Sequence, residues 1–173
     1  MSATNDSLLS GACIEQRVWD VLQGVPDPEI PVLSIVDLGV VRYARVEQGD
    51  AVRVGISPTY SGCPATAVIK QSAAQALRNA GFARVVIDDV LAPAWSSDWI
   101  TAEGRRKLRA YGIAPPAEAV SSPRAMLHPA PVIECPRCGS TASRKVSEFG
   151  STPCKALYRC TSCLEPFDYF KCH

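Results

Sequence analysis

The sequence ECPRCGSTASRKVSEFGSTPCKALYRCTSC, residues 134–163, decides the fold of the carboxyl-terminal part of the chain. It contains two Cys-x-x-Cys motifs, and 21 residues separate the first motif from the second. The two thiolates of one motif can reach the same ion, and two motifs complete a tetrahedral shell of four sulfurs, the closed geometry of structural zinc. The spacing therefore predicts a metal site with four ligands. They are Cys135, Cys138, Cys160 and Cys163.

The module around these motifs spans residues 133–173, which are too few to build a large apolar core. A bound metal would supply the stability that such a core cannot. We expect a zinc ribbon with short strands at 145–146 and 156–158, although four thiolates alone do not distinguish zinc from iron. Two further cysteines, Cys154 and Cys172, either form a second, looser site with the terminal histidine or take no part in metal binding.

The composition of the whole chain limits its function. Of its 173 residues, 47% are hydrophobic and 20% are charged, so the chain can bury a core. Its 18 basic and 17 acidic side chains leave a net charge of +1, whereas proteins that bind mainly nucleic acid or anionic membranes carry a strong basic excess. No apolar run approaches the ~18 residues of a membrane span, and the start of the chain lacks the pattern of a secretory signal. We therefore expect a cytoplasmic protein without membrane or nucleic-acid partners, whose eight cysteines serve as metal ligands or reactive thiols.

A proline-rich segment, residues 113–132, separates the cysteine-rich tail from the rest of the chain. Its five prolines remove backbone donors and favour extended neighbours, and no helical or strand periodicity crosses it. We expect a semi-rigid, extended linker. The predicted organisation is thus an amino-terminal domain at 1–112, this linker, and the ribbon at 133–173.

The amino-terminal domain begins with a helical pattern and continues with the alternation typical of strands. Apolar residues recur at helical spacing from about 11 to 24, and again after Pro64 up to Gly81, a residue that suits a helix end. A third helix runs between Thr101, a typical N-cap residue, and Gly112. Strands are predicted at 40–48, 51–57 and 84–91, with a tight turn at 48–50. The order αββαβα predicts an α/β fold, a two-layer α+β domain with a small mixed sheet.

The loop after the second strand carries a cysteine at the start of a helix. Pro64 suits the first helical position, which places Cys63 at the N-cap, where the helix dipole and free amide groups favour a thiolate. Gly62 permits close approach of a ligand to the backbone, and Thr59 could donate a hydrogen bond to the sulfur. The alternative is a buried structural cysteine. For Cys13, between apolar residues at the start of the first helix, we expect an ordinary apolar thiol.

Residues 27–41 read DPEIPVLSIVDLGVV, and Thr59 and the tripeptide Gly-Cys-Pro at 62–64 follow in order. Together these motifs resemble the SufT-like family of iron–sulfur assembly proteins, over roughly residues 14–112. The resemblance implies a functional centre that handles iron or a labile iron–sulfur cluster. That centre would contain Cys63, Thr59 and Asp37, with Asp27 and Glu29 in an acidic loop.

Four further segments, 93–100, 104–113, 149–160 and 165–171, are similar to the D subunits of bacterial phenylacetyl-CoA epoxidases. The likeness covers nearly the whole chain and implies two partners in a multicomponent monooxygenase, a di-iron oxygenase subunit and a reductase. The chain resembles neither partner, and its two histidines are too few for a di-iron site. The resemblance therefore implies an accessory, non-catalytic subunit in aerobic phenylacetate degradation that helps to deliver iron or an iron–sulfur cluster.

Two other functions stay open from the sequence. The chain could be a structural subunit that only bridges the oxygenase assembly, or a zinc-ribbon protein that regulates or binds nucleic acid. The charge argues against the second, because residues 133–173 carry six basic and four acidic groups, a weak excess for that purpose. A homodimer is a further option, since a second copy of the chain could supply more ligands beside Cys63. Trp95 and Trp99 either close the core or anchor a partner.

Overall fold

The computed structural model describes residues 3–47, 51–60, 62–116 and 132–171, and it describes the side chains of the first helix from Cys13 onward. These residues fall into two compact units, Met1–Trp95 and Ser96–His173. The sequence placed the end of the first domain at residue 112 instead. The difference arises because the third helix belongs to the same compact unit as the ribbon.

The first unit is a three-stranded sheet with two helices. Its strand order is β1-β2-β3, with β1 antiparallel to β2 and β2 parallel to β3. The first helix contacts both β1 and the second helix, and the second helix contacts β3, so both lie on one side of the sheet. This two-layer arrangement confirms the predicted α/β class. The elements are α1 (Ala3–Gln23), β1 (Val41–Glu47), β2 (Ala51–Ile56), α2 (Ala65–Asn79) and β3 (Arg84–Asp89).

The central strand β2 has two chemically different faces. Val52, Val54 and Ile56 are buried, as the alternation of strand side chains predicts. On the other face Arg53 forms ion pairs with Glu47 at 2.7 Å and with Asp88 at 2.9 Å. One sheet face therefore forms the apolar core with the helices, and the other carries a charged network.

The helix ends follow the sequence closely. Gly81 adopts a left-handed conformation, with φ of 97°, just after α2. Its N–H donates to Arg78 O at 3.0 Å, and the next N–H, of Phe82, donates to Leu77 O at 3.1 Å, which is the Schellman pattern. The first helix, in contrast, starts at Ala3, earlier than the predicted position near residue 11. The predicted turn at 48–50 lies outside the described residues.

The second unit joins a helix to a four-stranded sheet of order β4-β7-β6-β5. Thr101 caps the helix, because its Oγ1 accepts the N–H of Gly104 at 2.9 Å, and Gly112 ends it with a φ of 93°. The short strand β4 is parallel to β7, and the other neighbouring strands are antiparallel. The elements are a 3-10 turn (Ser97–Trp99), α3 (Ala102–Tyr111), β4 (Ile113–Ala114), β5 (Ser143–Ser147), β6 (Lys155–Cys160) and β7 (Pro166–Phe170).

The sheet of the second unit has its own apolar cluster. The ring of Tyr158 stacks on Phe167, with centroids 6.0 Å apart, and meets Tyr169 edge-on at 5.6 Å. The segment predicted as a linker begins with the strand β4 at 113–114. Most of that segment, residues 117–131, lies outside the described residues. The buried members of the cluster are Ala114, Ile133, Cys135, Ala156, Cys160, Phe167 and Tyr169.

Within the described part of the chain, no helix is long and apolar enough to cross a membrane.

Candidate functional site

The four cysteines of the two Cys-x-x-Cys motifs come together in the second unit. Their sulfur atoms all lie within 4.8 Å of one another. The Sγ atoms of Cys135 and Cys163 are 3.8 Å apart, and those of Cys138 and Cys160 are 3.6 Å apart. A tetrahedral ion with sulfur ligands at ~2.3 Å requires about 3.8 Å between the sulfurs. The four thiols are thus placed as the ligands of one metal ion.

Each Cys-x-x-Cys motif forms the same tight turn. In the first, the N–H of Cys135 donates to Ser140 O at 2.9 Å, and in the second, the N–H of Cys160 donates to Glu165 O at 3.0 Å. The residue after the second cysteine is left-handed in both turns. It is Gly139, with φ of 73°, in the first and Leu164, with φ of 66°, in the second. The metal site is therefore built from two copies of one backbone shape.

Backbone donors prepare Cys160 to bind a cation. The N–H groups of Cys163 and Ser162 each lie 3.4 Å from its sulfur. These donors, that of Cys163 first, lower the pKa of Cys160 to about 6, although burial opposes them. For Cys163, the N–H of Glu165 acts to lower the pKa, but burial and the three neighbouring thiols raise it. The backbone N–H groups therefore favour the thiolate form of Cys160, which is the form that binds a metal ion.

Within the described part of the ribbon, Cys154 does not join this group. Cys154 is only 3% exposed, and its sulfur lies 3.0 Å from Thr152 Oγ1. A buried sulfur of this kind does not suit the second, looser site that was one of the two alternatives from the sequence. Cys172 and His173 lie outside the described residues.

In the first unit, the sequence-predicted centre lies at one edge of the sheet. Since β1 is antiparallel to β2 and β3 is parallel to it, the start of β1 and the ends of β2 and β3 share that edge. The N–H of Ser57 donates to Val40 O at 2.8 Å, and the N–H of Val90 donates to Ile56 O, also at 2.8 Å. Three segments therefore meet there: the turn 34–39, the loop 57–64 and the loop 90–95.

In the turn 34–39, both the backbone N–H and the carboxylate of Asp37 form hydrogen bonds with Ser34. Ser34 Oγ accepts the N–H of Asp37 at 2.9 Å, and Asp37 Oδ2 accepts the N–H of Ser34 at 3.1 Å, so the two residues form a reciprocal capping box. The turn ends at Gly39, which has a φ of 71°, and the N–H of Val40 donates to Ile35 O at 3.3 Å. One closed helical turn thus fixes the Asp37 carboxylate.

Two of the predicted acidic residues, Asp27 and Asp37, therefore use their carboxylates to accept backbone N–H groups. Asp37 is 2% exposed and also accepts the side-chain amide of Gln23 at 3.0 Å. Asp27 is 4% exposed, and its Oδ1 accepts the N–H groups of Glu29 and Ile30 at 2.9 and 2.7 Å. Their carboxylates shape the loops at this edge. Glu29, by contrast, is half-buried.

Cys63 lies on the loop that leads into α2. The helix begins at Ala65 with Pro64 at the N-cap, so Cys63 stands one residue further from the helix than predicted. The Cys63 carbonyl still accepts the N–H of Thr66 at 3.2 Å. Cys63 and Thr59 are both half-buried, and among the described residues no hydrogen bond joins the Thr59 hydroxyl to the Cys63 sulfur. Both side chains therefore stay partly open to solvent.

Cys13, the remaining cysteine of this unit, was predicted to be an ordinary apolar thiol, and it is exposed on α1. Sequence reasoning also passed over Ser57, which is 1% exposed at the end of β2. A serine at the end of a strand carries no sequence pattern that would single it out. Trp95, which the sequence left open, closes the core: it is buried, and its Nε1–H donates to Leu38 O at 3.2 Å.

Comparison with known proteins matches both parts of the chain. Residues 119–171 match the PaaD zinc beta ribbon domain, and residues 15–86 match a family described as iron–sulfur cluster assembly protein. A candidate D subunit of 1,2-phenylacetyl-CoA epoxidase from Escherichia coli (strain K12) is 50% identical over 156 residues, which cover 90% of this chain and 92% of that protein. The chain belongs to the phenylacetyl-CoA epoxidase D-subunit family.

This D-subunit relative confirms the resemblance to D subunits, and the family match over residues 15–86 confirms the resemblance to iron–sulfur assembly proteins. Part of the fold also has a counterpart in the crystal structure of a domain of unknown function, DUF59, from Bacillus anthracis. That structure aligns with a TM-score of 0.54 at 22% identity and covers 58% of this chain and 96% of that domain. At this identity the likeness concerns the fold alone.

Proposed function

We propose that this D-subunit homologue is an accessory, non-catalytic subunit of a phenylacetyl-CoA epoxidase that helps to load iron or an iron–sulfur cluster into the complex. Cys63 would hold the cargo, Thr59 and Glu29 would line its site, and Asp27 and Asp37 would fix the loops around it. The cargo is the substrate of this process. The clients would be the di-iron oxygenase and the reductase.

The ribbon would hold a structural zinc ion. Four cysteine ligands with no open position are typical of structural zinc sites, and the sulfur separations of 3.6 and 3.8 Å match that geometry. Zinc has no redox chemistry of its own, so its role would be to stabilise the second unit. The cargo would therefore bind elsewhere.

The observation that carries the proposal is the convergence of three segments at the edge of the first sheet. The buried carboxylates there accept backbone N–H groups, whereas the side chain of Cys63 is half-buried and open to a ligand. A rigid frame that presents one accessible thiol suits temporary binding of a thiophilic metal. The match of residues 15–86 to an iron–sulfur assembly family supports the same interpretation.

One thiol cannot complete the coordination of iron or a cluster. Further ligands would come from a second copy of the chain or from an external thiol, since Cys154 is buried in the second unit. Incomplete ligation by the protein would leave the cargo labile. Lability favours transfer over storage.

The test compares Cys63→Ser with Cys13→Ser, a control that removes an exposed thiol from the same unit. Iron and acid-labile sulfide are measured on each protein after anaerobic purification, and growth on phenylacetate and the iron content of the oxygenase are measured in cells. We expect Cys63→Ser to lose iron binding and growth while the ribbon keeps its metal. The control should behave as the wild type.

Normal growth and full iron loading in the Cys63→Ser strain would refute the delivery role. Cys63 would then be a packing residue, and the protein would be assigned to bridging the oxygenase assembly.

A further inference from the structure

Ser57 is the one buried side chain whose polar atom has no hydrogen-bond partner within the described ranges. It is 1% exposed, so bulk water does not replace the missing partner. A buried hydroxyl without a partner costs free energy, and folded proteins keep few of them. Alanine at this position would avoid that cost. The retained hydroxyl therefore calls for an explanation outside the fold itself.

The other buried polar side chains at this edge are satisfied. Ser34 accepts from Asp37 and from the amide of Gln23, the latter at 2.9 Å. Asp27 accepts two backbone N–H groups. The unsatisfied hydroxyl is thus an exception in a well-bonded region.

Ser57 lies at the same edge of the sheet as the loop that carries Cys63. Its own N–H bonds to Val40, directly after the turn that holds Asp37, and the preceding carbonyl of Ile56 accepts from Val90. Ser57 therefore directly follows the middle strand β2, which lies between β1 and β3. It also opens the loop 57–64, which carries Thr59 and Cys63.

We infer that the Ser57 hydroxyl is a positioning group of the cargo site that donates a hydrogen bond to a sulfur or oxygen ligand of the metal held at Cys63. This inference rests on the proposed iron-loading function. A hydroxyl donor suits such a ligand because thiolate, sulfide and metal-bound water all accept hydrogen bonds. No covalent step is involved.

The test measures iron affinity and thermal stability. Removing a hydroxyl with a purely structural role would lower both. Anaerobic titration with Fe²⁺, with and without sulfide, gives the affinity of the full-length protein, and thermal unfolding gives its midpoint. For Ser57→Ala we expect iron affinity to fall about tenfold, the loss of one hydrogen bond to a charged group. The thermal midpoint should stay unchanged or rise, because an unsatisfied group has been removed. Ser57→Thr, which keeps the hydroxyl, should retain more of the affinity.

Ser34→Ala is the matched control, because it removes a buried hydroxyl that has partners. Its thermal midpoint should fall. A fall of the midpoint in Ser57→Ala would show a structural partner and overturn the inference. So would unchanged iron affinity in Ser57→Ala while Cys63→Ser loses it, and the proposed function would then stand without Ser57. Failure of the wild type to bind iron would overturn both.

Discussion

The two places where this chain presents cysteine differ in how complete they are. In the ribbon, four sulfurs lie within 4.8 Å of one another, and two backbone N–H groups donate to one of them, the sulfur of Cys160. At the edge of the first sheet Cys63 presents one half-buried thiol, and the buried carboxylates of the loops there accept backbone N–H groups. A shell filled by the protein alone retains its ion, whereas a site with one protein ligand must share it. The same residue type therefore serves stability in one unit and, as we propose, exchange in the other.

The largest effect is expected from a substitution that removes the metal of the ribbon and leaves the first unit intact. Cys138→Ser removes one of four ligands, and structural zinc contributes ~10–16 kcal/mol of apparent binding free energy in small zinc modules. We expect loss of the metal and unfolding of the second unit, including α3, because β4 next to it pairs with β7. Elemental analysis should show about one zinc per chain in the wild type and none in the variant.

Limited proteolysis of the same variant measures how independent the units are. The first unit should stay resistant, since its core of α1, α2 and the three-stranded sheet contains no metal ligand of the ribbon. Cys13→Ser serves again as the control. A variant without metal whose second unit resists protease would contradict the structural role of the site.

A smaller effect is expected from Asp37→Ala at the open site. The substitution leaves the buried N–H of Ser34 without its carboxylate acceptor, and it removes one of the two acceptors of the Gln23 amide. A lost buried partner costs about 1–3 kcal/mol, so we expect the first unit to lose about that much in chemical denaturation. Iron binding should weaken less than in Cys63→Ser, because the carboxylate positions the loop rather than the metal.

Asp37→Asn sharpens that comparison, since it preserves the volume and one acceptor oxygen. Its stability should lie between that of the wild type and that of Asp37→Ala. Complete loss of iron binding in the asparagine variant, with stability unchanged, would make Asp37 a ligand and enlarge the open site.

The smallest effect concerns the two turns of the ribbon. Leu164 is 60% exposed and left-handed, whereas Gly139 has the equivalent place in the other turn. A left-handed conformation costs a non-glycine residue ~1–2 kcal/mol, and glycine adds ~0.5–1 kcal/mol of unfolded-state entropy. Leu164→Gly should therefore stabilise the second unit by about 1 kcal/mol or less.

Chelator competition for the ribbon metal is the measurement, with Gly139→Leu as the opposite substitution. Metal loss should become slower or need more chelator in Leu164→Gly, and the reverse should hold in Gly139→Leu. If both variants lost the metal at the same rate, the two turns would not be energetically equivalent copies.

Much of this fold could be predicted from the sequence where the signal is local. Alternation indicated β1, β2 and β3, glycine indicated the ends of α2 and α3, and the cysteine spacing indicated the metal ligands. Non-local pairing could not be predicted. The strand β4 has two residues and no periodicity, and only its pairing with β7, much later in the chain, shows that α3 belongs with the ribbon. The predicted domain boundary differs from the structural one for that reason.

The candidate site divides in the same way. The motif residues Asp27, Asp37, Thr59 and Cys63 could be named from the sequence. Whether a carboxylate is free or bonded to backbone depends on packing, and no sequence pattern indicated that Asp27 and Asp37 hold N–H groups. Ser57 escaped notice for the same reason, because an unsatisfied hydroxyl is a property of its surroundings.

The hydrogen bond from Trp95 to Leu38 O has a practical consequence for dissecting the protein. Trp95 is the last residue of the first unit, and it is 4% exposed. A fragment that stops at the end of β3 would lack the indole and leave the Leu38 carbonyl, next to Asp37, without its donor. An expression fragment of the first unit should therefore extend through residue 95. With Trp19→Phe in that fragment, Trp95 would be the single tryptophan. Its fluorescence emission would then report whether the indole still bonds to Leu38 O in the turn 34–39.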